Sequence, residues 1–237
     1  MSKFKHLVAA AALAIAGSAN ATLVLPGPET PLQTIINNLY TAAGTNTNLA
    51  PDVNADQMPA DDLWSIQASG GSIATFIIEI TANSGNNSFG IFDASAPGSM
   101  VQLFGATAAG AQTIVSIKDD GSVFVNFADT GIDFSGNVFG YYLTAGNTTW
   151  RSTDDDQMVA FRGDGDTIKL PTVAAGEWGS SSYILAWEDL LYANSDKDFN
   201  DFVVYVESVS RVPAPASAAL LGLGLLGMGL ARRRRSA

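Results

Sequence analysis

No cysteine occurs in the chain, and its one histidine, His6, lies among the first few residues. Without cysteine no disulfide can hold an exported fold together, so stability must rest on an apolar core or on bound metal ions. Without histidine beyond residue 6, Ser-His-Asp and Cys-His nucleophilic catalysis is excluded, and so are the usual zinc sites. An enzyme would be left with paired carboxylates of the glycosidase kind or a Ser-Lys arrangement. Positive charge is scarce as well. Residues 22–211 hold six basic side chains, Lys118, Arg151, Arg162, Lys169, Lys197 and Arg211, against all 23 acidic ones. Their formal charge is −17, against −11 for the whole chain. Such a surface repels nucleic acid and anionic lipid and suits cations, so no nucleic-acid partner is expected.

The two ends are built differently from the middle. Lys3 and Lys5 precede an apolar run from Leu7 to Ala16, and Ala19-Asn20-Ala21 fits a small-x-small cleavage pattern. That order predicts a secretory signal peptide over 1–21, with the mature chain starting at Thr22. At the other end, Val212-Pro213-Ala214-Pro215 leads into an uncharged stretch, 216–231, and then Arg232, Arg233, Arg234 and Arg235. Sixteen helical residues span about 24 Å, short for a hydrocarbon core of about 30 Å, but the arginines can snorkel. An apolar transmembrane helix over 216–231 is therefore expected, with its basic end cytoplasmic. Gly222-Leu-Gly224-Leu-Leu-Gly227 matches a dinucleotide-binding pattern, but no strand precedes it and no βαβ unit surrounds it.

This tail resembles the PEP-CTERM sorting signal of Gram-negative bacteria: a Val-Pro-Glu-Pro-like motif, an apolar helix and a terminal arginine cluster. Ala214 stands where that family has Glu. The resemblance implies recognition by an exosortase-type protease, transient anchoring in the inner membrane, cleavage near Val212, Pro213 and Pro215, and delivery to the cell surface or the extracellular space.

Between the ends lie 190 residues, enough for one domain with a substantial core. Leu32, Ile35, Ile36 and Leu39 have helical spacing, with Thr30 placed to cap the helix, Pro31 in its first turn and Gly44 to end it. A polar segment completes residues 22–62. From Leu63 to residue 211 the pattern is β. Ser72 to Thr81 alternates, and Ile114–Lys118 and Ser122–Phe127 flank Asp119-Asp120-Gly121, a hairpin signal. Val138–Thr144, Gln157–Arg162, Ser182–Glu188 and Phe202–Val209 are further strands. The expectation is an all-β, jelly-roll-like β-sandwich with a short N-terminal helix, followed by the sorting tail over 212–237.

The acidic residues crowd into one segment. Glu188, Asp189, Asp196, Asp198 and Asp201 fall between two expected strands. Asp196, Asp198 and Asn200 alternate as D-x-D-x-N, a spacing that lets side-chain oxygens converge on one hard cation. An EF-hand would need Gly where Asp201 stands, so the loop is not one. An oxygen cage of Asp196, Asp198, Asn200 and Asp201, joined by Glu188 and Asp189, is the candidate Ca²⁺ site. The competing reading is a solvated acidic turn whose Asp and Asn side chains cap backbone amides. Trp187-Glu188-Asp189-Leu190 and Ser195-Asp196-Lys197-Asp198-Phe199-Asn200-Asp201-Phe202 resemble the C-terminal signature of the domain-of-unknown-function family 4114. Asp154 to Asp166 resembles other segments of such proteins, and the resemblance spans roughly Leu63 to Arg211. It implies an exported bacterial surface protein and no mechanism.

Two weaker oxygen clusters are Asp52-Val-Asn54-Ala-Asp56 with Asp61 and Asp62, and Asp164-Gly-Asp166. Burial is the commoner role of Trp in a β-sandwich, and Trp150 and Trp178, which lie beside loops, are the better exposed candidates for stacking on sugar rings. The sequence thus favours a non-enzymatic surface or matrix protein binding Ca²⁺ or exopolysaccharide. A carbohydrate-active hydrolase with two carboxylates is the alternative, marked by a cleft with facing acids about 5 to 10 Å apart.

Overall fold

The computed structural model describes residues 22–44, 50–58, 63–66, 72–79 (backbone only), 85–105, 110–154 and 156–212. Residues 1–21, expected as a signal peptide, the tail from Pro213 onward and the expected helix over 216–231 lie outside the described residues. Among the described residues no helix is long and apolar enough to cross a membrane.

Among the described residues one helix, α1 (Leu32–Ala43), precedes fifteen strands. These are β1 (Leu63–Ile66), β2 (Ser72–Glu79), β3 (Asn87–Asp93), β4 (Met100–Phe104), β5 (Gln112–Ile117), β6 (Ser122–Val125), β7 (Ala128–Asp133) and β8 (Val138–Ala145). They continue as β9 (Thr148–Arg151), β10 (Met158–Arg162), β11 (Thr167–Ile168), β12 (Gly176–Glu177), β13 (Tyr183–Trp187), β14 (Phe202–Glu207) and β15 (Val209–Val212). The fold is all-β, as expected. One six-stranded sheet has the order β15-β1-β8-β3-β4, with β9 also on β8. A seven-stranded sheet has the order β10-β13-β14-β2-β5-β6-β7. Pairing is antiparallel throughout both.

Side chains alternate across a strand, so each sheet has two faces to account for. The facing sides of the two sheets share one core. Phe89 of the six-stranded sheet stacks on Phe202 at 5.4 Å and meets Trp187 edge-on at 6.2 Å, both from the seven-stranded sheet. The outer side of the seven-stranded sheet is covered too. Val159, Phe161, Ile184, Ala186, Val203 and Tyr205 point outward there. The buried stripe of α1, Leu32, Ile35, Ile36, Leu39 and Tyr40, packs onto them with Val24 and Val53. Hence β13 and most of β14 are buried on both faces.

The helix starts one residue later than its sequence suggests. Pro31 is the cap position, with ψ 143° and no side-chain cap bond. Its carbonyl accepts from Thr34 and Ile35, so Thr30 is not the cap. Gly44 closes the helix in the left-handed region, φ 71°. The Asp119–Gly121 hairpin forms as expected, with Gly121 at φ 94° donating to Lys118 O. The last expected strand is divided: Ser208, at φ 60°, breaks it, and β15 crosses to the other sheet to pair β1.

Candidate metal centre

Strand pairing fixes the ends of the acidic turn. Trp187 lies opposite Phe202, which brings Glu188 and Asp201 together just beyond the ladder. The Asp189 N–H donates to Asp201 Oδ2 at 2.9 Å. Gln157, buried just before β10, braces the interior of the turn. Its Nε2 donates to Leu190 O, its Oε1 accepts from Tyr192 N, and its carbonyl accepts from Glu188 N.

Within the D-x-D-x-N run, Lys197 and Phe199 have left-handed φ of 65° and 52°. Residues with side chains rarely adopt this region, so other contacts must hold them there. The Phe199 ring is buried in the outer core, and the Lys197 ammonium lies 4.6 Å from the Tyr192 ring centroid. Asp198 and Asn200 are turned inward and are fully buried, whereas Asp196 stays exposed.

The N-terminal segment 22–30 lies over this turn. Leu25 N donates to Lys197 O at 2.8 Å, and Asn200 Nδ2 donates to Thr30 O at 2.9 Å. Gly27 sits against Asp198 at φ 55°, where a Cβ would overlap the carboxylate. Glu29 follows, and one carboxylate oxygen each from Glu29, Asp196 and Asp198 lie within 4.8 Å of one another. Glu29 is missing from the sequence-derived cage. It is some 170 residues away along the chain, and no local motif marks it.

Burial without positive charge shows in the ionisation of these groups. Burial, then the charges of Asp189, Glu188 and Asp198, pushes Asp201 up to about 8. Burial, with Asp196 and Glu29 adding, raises Asp198 to about 6. Glu188 is also raised, first by burial. Two oxygens have no partner. Glu188 Oε1 accepts from Phe199 N at 2.8 Å, but buried Oε2 accepts from nothing. The Asn200 amide donates to Asp198 Oδ2 at 2.7 Å and to Thr30 O, leaving its buried Oδ1 unbonded. Such a group costs about 1–3 kcal/mol if left so. A donor set of carboxylate and amide oxygens suits a hard divalent ion, and Ca²⁺ accepts six to eight oxygens in flexible geometry.

The six sequence-derived residues do not all face the same way. Asp196 and Asp198 gather with Glu29, Asn200 is tied to Asp198 through its amide, and Glu188 feels the charges of Asp196 and Asp198 without joining that group. Asp189 is directed toward the six-stranded sheet, where Asn87 Nδ2 reaches its Oδ2 at 3.5 Å and Trp150 Nε1 donates to its carbonyl at 3.2 Å. Asp201 bridges the two sides through the Asp189 amide.

The weaker clusters serve the backbone. Asp52 Oδ1 accepts from Asn54 N and Ala55 N, Asp56 Oδ2 accepts from Asp52 N, and Asn54 clamps both backbone polar groups of Val24. Asp164 Oδ1 accepts from Asp166 N around Gly165, a tight turn. Trp178 is fully buried against Tyr40, edge-on at 6.3 Å, so it offers no ring face to a sugar. Trp150 is half-buried and held by Asp189.

A protein-family model described as a domain of unknown function (DUF4114) matches residues 134–209. The match begins well after Leu63 and holds the whole acidic turn, but not Glu29. No curated protein matches the chain.

Proposed function

We propose that this chain is an exported, non-enzymatic component of a bacterial cell surface or extracellular matrix. Its jelly-roll-like sandwich is locked by Ca²⁺ at the Glu188–Asp201 turn and presents its surface to matrix polysaccharide. The observation that carries the cation is the pair of buried, unbonded oxygens, Glu188 Oε2 and Asn200 Oδ1, in a turn where acidic groups gather. Glu188, Asp196, Asp198, Asn200 and Glu29 supply the oxygens. Asp201 and Asp189 tie the turn to the rest of the fold. The ion would join segment 22–30 to the turn between β13 and β14, the role a disulfide takes in other exported domains.

Binding to the folded state alone adds about 2.7 kcal/mol when free ion is a hundred times Kd. At roughly 2–4 °C per kcal/mol for a domain of this size, the full chain should melt roughly 5–10 °C higher in millimolar Ca²⁺ than in chelator. Scanning calorimetry at matched ionic strength measures it. An Asp196→Ala, Asp198→Ala variant should lose the difference and keep its β circular dichroism. Equal melting temperatures for the unaltered chain would leave a solvated acidic turn.

Export and sorting rest on the order of residues at the two ends. Mass spectrometry of the protein recovered from outside its host cells should find Thr22 at the N-terminus and a C-terminus near Val212 to Pro215. Recovery with Arg232 to Arg235 intact would contradict sorting by that tail.

A further inference from the structure

The apolar row between the sheets ends in polar residues. Phe89 of β3 packs on Trp187 and Phe202, and Asn87 lies two residues earlier on the same face of β3. Asp189 lies two residues beyond Trp187, and Asp201 directly precedes Phe202. Asn87 is 2% exposed and Asp189 4%, so both are out of water, where the row calls for apolar side chains. Asn87 belongs to the six-stranded sheet, whereas Asp189 and Asp201 follow and precede neighbouring strands of the seven-stranded one. None of the three belongs to the group of Glu29, Asp196 and Asp198.

Printed contacts bring these residues together. Asn87 Nδ2 lies 3.5 Å from Asp189 Oδ2, at the far limit of a hydrogen bond. Asp201 Oδ2 accepts from Asp189 N at 2.9 Å. Trp150 Nε1 donates to Asp189 O, which fixes the Asp189 backbone against β9. Burial first, and then the charge of Asp189, raise the Asp201 carboxyl, so the two acids lie close to each other. The Asn87 amide is poorly used as it stands. Its nitrogen makes one long contact, and its buried Oδ1 accepts from nothing. Burying an amide oxygen without a partner is costly. Turning the amide over would set Oδ1 against the Asp189 carboxylate, oxygen against oxygen, which is stable only with a cation between them. Oxygens bound to one Ca²⁺ at about 2.3–2.6 Å lie up to about 5 Å apart, and the 3.5 Å between amide and carboxylate falls in that range. Asp189 need not be free of other contacts, since an ionised carboxylate accepts at about four positions.

We infer that Asn87, Asp189 and Asp201 hold a second Ca²⁺ ion, which joins the two sheets at this end of the sandwich. The inference rests on the same reading of the turn as a cation site, with different ligands, so the two sites can fail separately. Equilibrium dialysis of the full chain against Ca²⁺, followed by elemental analysis, counts the bound ions. Two per chain are expected. Asp196→Ala, Asp198→Ala should keep one, the ion at Asn87. Asn87→Leu should also keep one, the ion beside Glu29. Asn87→Asp adds a ligand charge, so it should keep both and bind the second on the order of tenfold more tightly. That variant decides the matter if Asn87→Leu does not fold. A purely structural Asn87 behaves otherwise: an apolar side chain of similar size in its place leaves the count unchanged. An unchanged count in folded Asn87→Leu, or unchanged affinity in Asn87→Asp, would overturn the inference. A single ion removed by Asp196→Ala, Asp198→Ala would overturn it and leave the first site standing, whereas a single ion removed only by Asn87→Leu would uphold it and overturn the first.

Discussion

In chelator, raising the pH from about 5 to about 8 should remove on the order of 4 kcal/mol of stability from this protein. The groups responsible are Asp201, raised to about 8, Asp198, raised to about 6, and Glu188, also raised. In the unfolded chain these carboxyls ionise near 4. Between that value and the folded one, the native state holds protons that the unfolded state has released. Stability therefore falls as pH rises, by about 1.4 kcal/mol per pH unit for each such proton. The stabilisation is complete below the unfolded value and is gone above the folded one. This is the reverse of the usual salt-bridged carboxylate. Calcium requires the ionised forms, so its contribution should grow over the same range and offset the loss. Urea unfolding at both pH values, with and without Ca²⁺, gives the four free energies. Equal stability at the two pH values in chelator would mean that these acids are well solvated in the folded protein.

Trp178→Ala should destabilise the protein by about 3–5 kcal/mol, the usual cost of deleting a large buried aromatic. For a domain of this size that is a fall in melting temperature on the order of 10 °C. Trp178 lies between α1, the small sheet of β11 and β12, and the outer face of β10 and β13, with no exposed surface. Its backbone is fixed as well: its N–H donates to Asp166 O and its carbonyl accepts from Gly165. Trp150→Ala should cost less, because its ring is only half-buried and one bond, to Asp189 O, is lost. Differential scanning calorimetry separates the two. A Trp178→Ala protein that melts normally would return that residue to the surface.

The contrast between these tryptophans shows what can be read along a chain. Apolar runs such as Tyr183–Trp187 and the Asp119–Gly121 turn are local signals, and each became the expected element. Strand β7 gave no such signal, because most of its residues are exposed. The Ser208 break was hidden for another reason: it depends on β15 finding β1, a partner far away in sequence. The acidic turn was legible as a cluster because its residues are contiguous. Its completion by Glu29 and Thr30 O was not, since that depends on how α1 lies on the outer face of the sheet. Trp178 could be read either way along the chain, because a residue beside a loop is exposed only if nothing is folded over it.

Both sheets are closed late. Strand β14 is an interior strand of one and pairs with β2, while β15 pairs with β1, these last two lying about 150 residues apart in sequence. A ribosome therefore releases nearly the whole domain before either sheet can be completed. Contacts this distant make folding slow, on the scale of milliseconds to seconds. Until residues 202–212 emerge, β2 and β13 lack the strand that lies between them, and their edges stay open to other chains. The domain is kinetically suited to remain unfolded during synthesis and to fold once, as a unit, when its last strand is free.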